Sequence, residues 1–294
     1  MEPVNPAGIC LLLLSMAGYF FALRGLWRIR FWFMPLFCAA GISLFLFIGA
    51  LAGELILFAN LSLSAGLAGF SCFLARACRK KLSFPGWTLE RVCIGTGILV
   101  FLFLSLCLKL THYDNFSHWA LMVKYLLGAG KLPGADTVLI PFRDYPPGIS
   151  LFLFYICRYA GHAQGILLLA QNSVLLACFL AIFGIVRERR RFLLYSFLAM
   201  GCSMLSYLNL TVRINNLLVD FLLPLLALGS VSYSRVEQKD SRLLVGQILL
   251  LGFTGIVKST GLFFAGTAGP YPFTFAWKES LPGSPGGSWR RCCF

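Results

Sequence analysis

Long apolar stretches recur along this sequence, separated by short polar segments that are rich in Arg and Lys. Eight of them are close to the roughly 20 residues that an α-helix needs to cross a bilayer. They cover residues 8–23, 32–50, 55–75, 92–108, 163–186, 192–211, 216–234 and 243–266. Because they are continuously apolar rather than alternating, they predict helices and not barrel strands. The pattern predicts an all-α, polytopic membrane helix bundle over residues 1–266.

The stretch 147–160 is shorter and contains Arg158. If it crossed the membrane, the basic cluster at 187–191 would lie outside, against the tendency of basic clusters to stay in the cytoplasm. We therefore expect eight spans, with 147–160 as an interfacial helix, and nine spans as the alternative. This topology places the N-terminus and the loop 110–145 outside the cell (plasma) membrane.

Composition supports a membrane protein and changes how the charge is interpreted. Of 294 residues, 59% are hydrophobic and 12% are charged, against about 25% charged in a soluble domain. The net charge of +14 is collected in short clusters between apolar runs, so it indicates orientation and not nucleic-acid binding. The eleven Cys are scattered without metal-binding spacing, which is typical of small buried apolar residues.

The loop 110–145 is the one long polar segment between the apolar runs, and long loops are often functional. Asp114 is suited to cap a helix that starts after it, and the Pro pair at 146–147 is suited to begin the next helix. Four apolar residues at helical spacing predict a face that lies on the membrane. They are Phe116, Trp119, Val123 and Leu126.

Within this loop, Asp114 is the first candidate for chemistry. A carboxylate beside His112 and His118, just outside a span, is suited to general-base work or to holding a divalent cation. The alternative is a helix cap with interfacial His and Trp residues. Asp144 and Arg143 offer a second carboxylate and a phosphate-binding guanidinium, or simply a local salt bridge.

Two charged residues, Asp220 and Lys258, lie inside predicted spans. Intramembrane charges are costly, so such residues are usually functional or paired with each other. With eight spans both lie toward the outside, as does Arg213. No P-loop, dinucleotide glycine fingerprint, Gly-x-Ser-x-Gly or His-Glu-x-x-His occurs, which argues against ATP-driven transport and serine hydrolysis.

The loop and two later segments resemble multi-span glycosyltransferases of the GT-C type. The resemblance covers about 110–265 and rests on five short segments. They are Asp114-Asn-Phe-Ser-His118-Trp119, Lys131-Leu-Pro133, Asp144-Tyr-Pro-Pro-Gly148, Asn216-Leu-Leu-Val-Asp220 and Val257-Lys258-Ser-Thr-Gly261, and Lys124 between the first two segments belongs to the same resemblance. It implies that the protein transfers a sugar from a polyprenyl-phosphate donor to an acceptor at the outer membrane face. The protein itself would be embedded in membrane lipid.

The resemblance also implies roles for individual residues. Asp114 would be the catalytic carboxylate, taking the acceptor proton or helping to hold a metal. His118 and Asp144 would be further catalytic or positioning residues. The candidates for substrate binding are Arg143, Lys258, Asp220 and Arg213, and of these Arg143 or Lys258 would meet the donor phosphate.

The segment 267–294 replaces the apolar pattern with Pro, Gly and charged residues, which predicts a poorly ordered tail. The abrupt change motivates the hypothesis that the chain is a fragment or a frame-altered copy of a longer enzyme. Two other functions compete with sugar transfer. A transporter or flippase would use Asp220 and Lys258 as pathway charges, and a non-catalytic membrane subunit would not depend on Asp114.

Overall fold

The computed structural model describes residues 4–79, 89–134, 137–138, 140, 144–186, 194, 200, 215–236 and 243–270. All regular structure in these ranges is helical, as predicted. The helices are α1 (Pro6–Leu26), α2 (Met34–Leu51), α3 (Leu55–Arg79), α4 (Leu89–Cys107), α5 (Ala120–Ala129), α6 (Gly148–Ala160), α7 (Gln164–Phe183), α8 (Leu222–Val236), α9 (Leu243–Val257) and α10 (Gly261–Ala268). A 3₁₀ turn, Phe31–Phe33, precedes α2, and a π-helical turn, Asn115–Trp119, precedes α5.

Four helical segments are long and apolar enough to cross a bilayer. They are Pro6–Leu26, Phe31–Leu51, Leu55–Arg79 and Gln164–Phe183. The first and third leave most of their apolar side chains outside the protein, where lipid would cover them. Shorter apolar helices follow at Ile94–Cys107, Gly148–Ala160, Leu222–Val236 and Leu243–Val257. These helices support a membrane protein, and the count of eight spans stays a prediction.

One end of the bundle, here called the loop end, collects segments that are far apart in sequence. The backbone N–H of Asn5 donates to the carbonyl of Ala160 at 2.9 Å, and the N–H of Leu110 donates to Gln164 Oε1 at 3.2 Å. These contacts place the start of α1, the end of α4, the end of α6 and the start of α7 at this end. The antiparallel α2 and α3 meet nearby in the turn 52–54.

The opposite end, here called the basic end, carries most of the described arginines. Arg24 lies in the last turn of α1, Arg79 in that of α3 and Arg235 in that of α8. Packing confirms that these helices end together with the start of α2. The ring of Phe37, in the first turn of α2, contacts that of Tyr233, near the end of α8, at a centroid distance of 4.9 Å. The described arginine clusters therefore share one end, as the predicted topology requires.

The predicted span 192–211 lies outside the described residues except at two positions. The residues that flank it are informative. Gly184, after α7, lies against Trp32 at the basic end. Asn215 donates from its side chain to Thr111 Oγ1 at 3.0 Å, at the loop end. The chain is thus at opposite ends of the bundle before and after this segment.

Helix α6 begins and ends at the loop end and does not run from one end to the other. Gly148, its first residue, lies against the backbone of Ile256 near the end of α9. Ala160, its last residue, binds Asn5 before α1. At 13 residues the helix is about 20 Å long, shorter than the roughly 30 Å hydrocarbon layer. It is buried among other helices, so it does not lie open on the bundle surface.

The prediction that one apolar face of the loop helix lies on the membrane was wrong in two respects. Three of the four residues pack inside the protein, and the fourth lies on a different side. Trp119, Val123 and Leu126 are buried in the protein core that includes α6, whereas Phe116 is 54% exposed. The difference arises from the π-helical turn Asn115–Trp119. Its i→i+5 hydrogen bonding holds an extra residue in the turn, so side chains before it are rotated relative to those after it.

Candidate functional site

The predicted span 216–234 starts later than its apolar pattern indicates, because residues 215–221 are not helical and α8 begins at Leu222. Irregular backbone inside a membrane bundle needs hydrogen-bond partners from the protein. Side-chain amides provide them here. Asn115 Oδ1 accepts the N–H of Leu217 at 2.8 Å, Asn216 Oδ1 accepts that of Leu218 at 3.2 Å, and Gln171 Nε2 donates to the Leu218 carbonyl at 3.5 Å.

The predicted span 243–266 is also interrupted. Helix α9 ends at Val257, residues 258–260 form a turn, and α10 folds back against α9. In this hairpin Gly261 lies against the carbonyl of Thr254 and Gly269 lies near Leu251. Lys258 therefore lies at the tip of a helical hairpin at the loop end. Asp220 and Lys258 thus lie outside the helices, each in the interruption of a predicted span.

Asp220 and Lys258 form an ion pair. Lys258 Nζ donates to Asp220 Oδ1 at 2.5 Å, with the lysine mostly covered and the carboxylate about half-exposed. The pair connects the segment before α8 to the tip of the α9–α10 hairpin. This is the mutual pairing that the sequence left open, and it keeps the ammonium group at the loop end.

Tyr145 brings the loop residues to this ion pair. Lys258 Nζ lies 5.9 Å from the centroid of the Tyr145 ring, within the range of a cation–π contact. The same ring contacts that of His118, at 5.2 Å between centroids in an edge-to-face arrangement. His118 is 4% exposed and also contacts the Trp119 ring. The phenol ring of Tyr145 thus contacts both the imidazole of His118 and the ammonium group of Lys258.

Asp114 lies close enough to His118 to act on it electrostatically, and its carboxylate is about half-exposed. Its Oδ2 is 3.6 Å from His112 Nδ1, and its backbone N–H donates to the same nitrogen at 3.2 Å. The predicted capping role was wrong, because the side chain makes no capping hydrogen bond. A capping residue has extended dihedral angles, whereas Asp114 is helical at φ −62° and ψ −18°. Its carboxylate is left accessible to solvent.

The electrostatics of His118 connect Asp114 and Lys258. Burial lowers the pKa of His118, the Asp114 carboxylate offsets part of that shift, and Lys258 lowers the pKa further. The imidazole is therefore neutral at pH 7 and can donate one hydrogen bond and accept another. Both charged residues lie close enough to His118 to influence its protonation.

The structure brings together four of the residues singled out from sequence: Asp114, His118, Asp220 and Lys258. Asp144 is exposed and precedes Tyr145. Arg143 and Arg213 lie outside the described residues.

Two residues of the site were missed as individual candidates, Tyr145 and Asn115. Both lie inside the motif segments, each directly after a candidate carboxylate, Asp114 or Asp144. Neither carries a charge, so only the packing reveals their roles. Tyr145 contacts both His118 and Lys258, and Asn115 accepts a hydrogen bond from the backbone of the segment 215–221.

The sequence offers Asp114 as a candidate ligand of a divalent cation. In the part of the chain that the structure describes, no three His, Cys, Asp or Glu side chains come together as metal ligands would. His112 and Asp114 offer two donor groups, fewer than a protein-built site for a hard cation needs. The described residues of this cluster therefore do not form a complete site for such a cation by themselves.

Comparisons of the chain with protein-family models, with curated proteins and with solved structures gave no match. The resemblance to GT-C glycosyltransferases rests on the five motif segments alone.

Proposed function

We propose that this protein is a membrane glycosyltransferase that moves a sugar from a polyprenyl-phosphate donor to an acceptor at the outer membrane face. The observation that carries the proposal is the convergence of motif segments. Five residues gather at one end of an apolar bundle. They are Asp114 and His118 from the loop 110–145, Tyr145 directly after this loop, Asp220 and Lys258. Such a site meets water on one side and lipid on the other, as a lipid-linked donor requires.

Each step of the transfer has a residue suited to it. The acceptor hydroxyl gives its proton to the Asp114 carboxylate as its oxygen bonds to the sugar carbon. The bond between that carbon and the donor phosphate oxygen breaks, and its electrons stay on the phosphate. Lys258 balances the charge that develops there. Asp220 holds the ammonium group in place when no phosphate is bound.

The positions of the charges favour this proposal over a transporter. A transport pathway uses charged groups near the middle of the membrane. Asp220 and Lys258 instead lie at the loop end of the bundle, close to the loop that carries Asp114 and His118. A non-catalytic subunit stays the plain alternative, and it predicts that Asp114 is dispensable.

The test is sugar transfer from radiolabelled polyprenyl-phosphate donors by membranes that contain the full chain. Asp114→Asn should lower the rate by about 10²–10⁴-fold, the usual contribution of a general base. Glu54→Gln is the matched control, since Glu54 is an exposed carboxylate in the 52–54 turn at the same end. Equal rates for the wild type and Asp114→Asn would exclude this mechanism.

A second pair of variants tests the donor site. Lys258→Gln should raise the KM for the donor, because it removes the cation that meets the phosphate. Lys109→Gln, at an exposed position just after α4, should leave the KM unchanged. If both variants behave alike, Lys258 does not contact the donor.

A further inference from the structure

A small cavity lies between α7 and the irregular segment 215–221. Its volume is about 20 Å³. Three side-chain amides line it, those of Gln171, Asn172 and Asn216, together with apolar side chains that include Leu218, Phe221 and Leu222. No charged side chain is among the lining residues, so the cavity is suited to a neutral, polar occupant.

Gln171 is the residue that sets the chemistry of this cavity. It is 5% exposed, in the middle of α7. Its Nε2 donates to the Leu218 carbonyl at 3.5 Å, and this orientation of the amide avoids placing two oxygens against each other. Its Oε1 is buried and has no hydrogen-bond partner among the described residues. A buried acceptor without a donor is costly.

We propose that this cavity binds a water molecule, which donates a hydrogen bond to Gln171 Oε1. The cavity exceeds the roughly 10–15 Å³ that one water needs, and three amides supply the polar surroundings that buried waters require. The water lies between α7 and the segment that carries Asp220. It thereby helps to hold that irregular backbone through the Gln171 side chain. This site is independent of the proposed sugar transfer.

Radiolytic footprinting of the full chain in lipid nanodiscs tests the site directly, because hydroxyl radicals form from bound water in place. Phe221, which lines the cavity, and Phe152 in α6 are almost equally buried, at 4% and 5% exposure. Phe221 should be oxidised several-fold faster than Phe152 in the folded protein, and the two rates should converge on unfolding. Equal rates in the folded protein would overturn the proposal.

Gln171→Met is the matched variant, because it keeps the side-chain length and removes the acceptor. It should abolish the excess oxidation of Phe221 and lower the thermal unfolding midpoint by about 2–4 °C. If the excess oxidation persists in Gln171→Met, the water is not held by Gln171 and the proposal fails. The wild-type measurement decides the matter by itself if the variant does not fold.

Discussion

Asn115 and Leu217 are joined by a 2.8 Å hydrogen bond from the Leu217 N–H to the Asn115 side-chain oxygen, although they are 102 positions apart. Asn115 is completely buried. The bond fastens the π-helical turn of the loop to the irregular segment before α8. It thereby fixes His118, three residues after Asn115, relative to Asp220, three residues after Leu217.

Replacing Asn115 by Ala should destabilise the protein by about 1–3 kcal/mol, because the Leu217 N–H would stay buried without a partner. Thermal unfolding in detergent measures the change. Asn60→Ala is the control, since it also removes a side-chain hydrogen bond, to Tyr159, but at an exposed position. An Asn115→Ala midpoint no lower than that of Asn60→Ala would contradict this assignment.

His118 should make the protein less stable in mild acid. Its pKa in the folded state is lowered by burial, so the unfolded chain takes up a proton first as the pH falls below about 6.5. At pH 8 the His118 side chain is neutral in both the folded and the unfolded state, so it contributes no pH dependence there. The measurement is the unfolding midpoint at pH 8 and at pH 5.5. His118→Gln should lose less stability between these two values than the wild type, and an equal loss would show that His118 is not responsible.

Gly18→Ala should separate α1 from α3. A Cβ at Gly18 would lie 1.9 Å from the carbonyl oxygen of Gly66, a backbone atom that cannot rotate away. Overpacking of this kind costs about 1–3 kcal/mol. Gly41→Ala is the control, because a Cβ there meets nothing within 4 Å and the change improves helix propensity by up to about 1 kcal/mol. The two variants should therefore shift the unfolding midpoint in opposite directions; a shared direction would argue against the close α1–α3 contact.

The loop end should face the outside of the cell. Val138 is 93% exposed in the loop, so Val138→Cys should react with a membrane-impermeant maleimide in intact cells, measured as the increase over the parent protein. Native Cys78 is exposed beside Arg79 at the basic end and should react only after permeabilisation, measured as the signal lost in Cys78→Ser. The reverse pattern would invert the topology and remove the proposed site from the outer face.

The amino-acid sequence by itself determined that the protein is helical and apolar along most of its length. Continuous apolar runs near 20 residues long predict helices because an isolated backbone in lipid must satisfy its own hydrogen bonds. The starts and ends of α1, α2, α3 and α7 follow the predicted runs closely. The short helix at 147–160 was also predicted, since its length and Arg158 set it apart.

Only the tertiary structure decided where the late apolar runs break and what lies beside the breaks. An apolar run does not reveal that residues 215–221 are irregular or that α9 ends at Val257, because the amides that support these breaks lie on other helices. The ion pair of Asp220 and Lys258 depends on the same breaks. The placement of Tyr145 between His118 and Lys258 likewise depends on packing between distant segments, which no local pattern of hydrophobic and polar residues encodes.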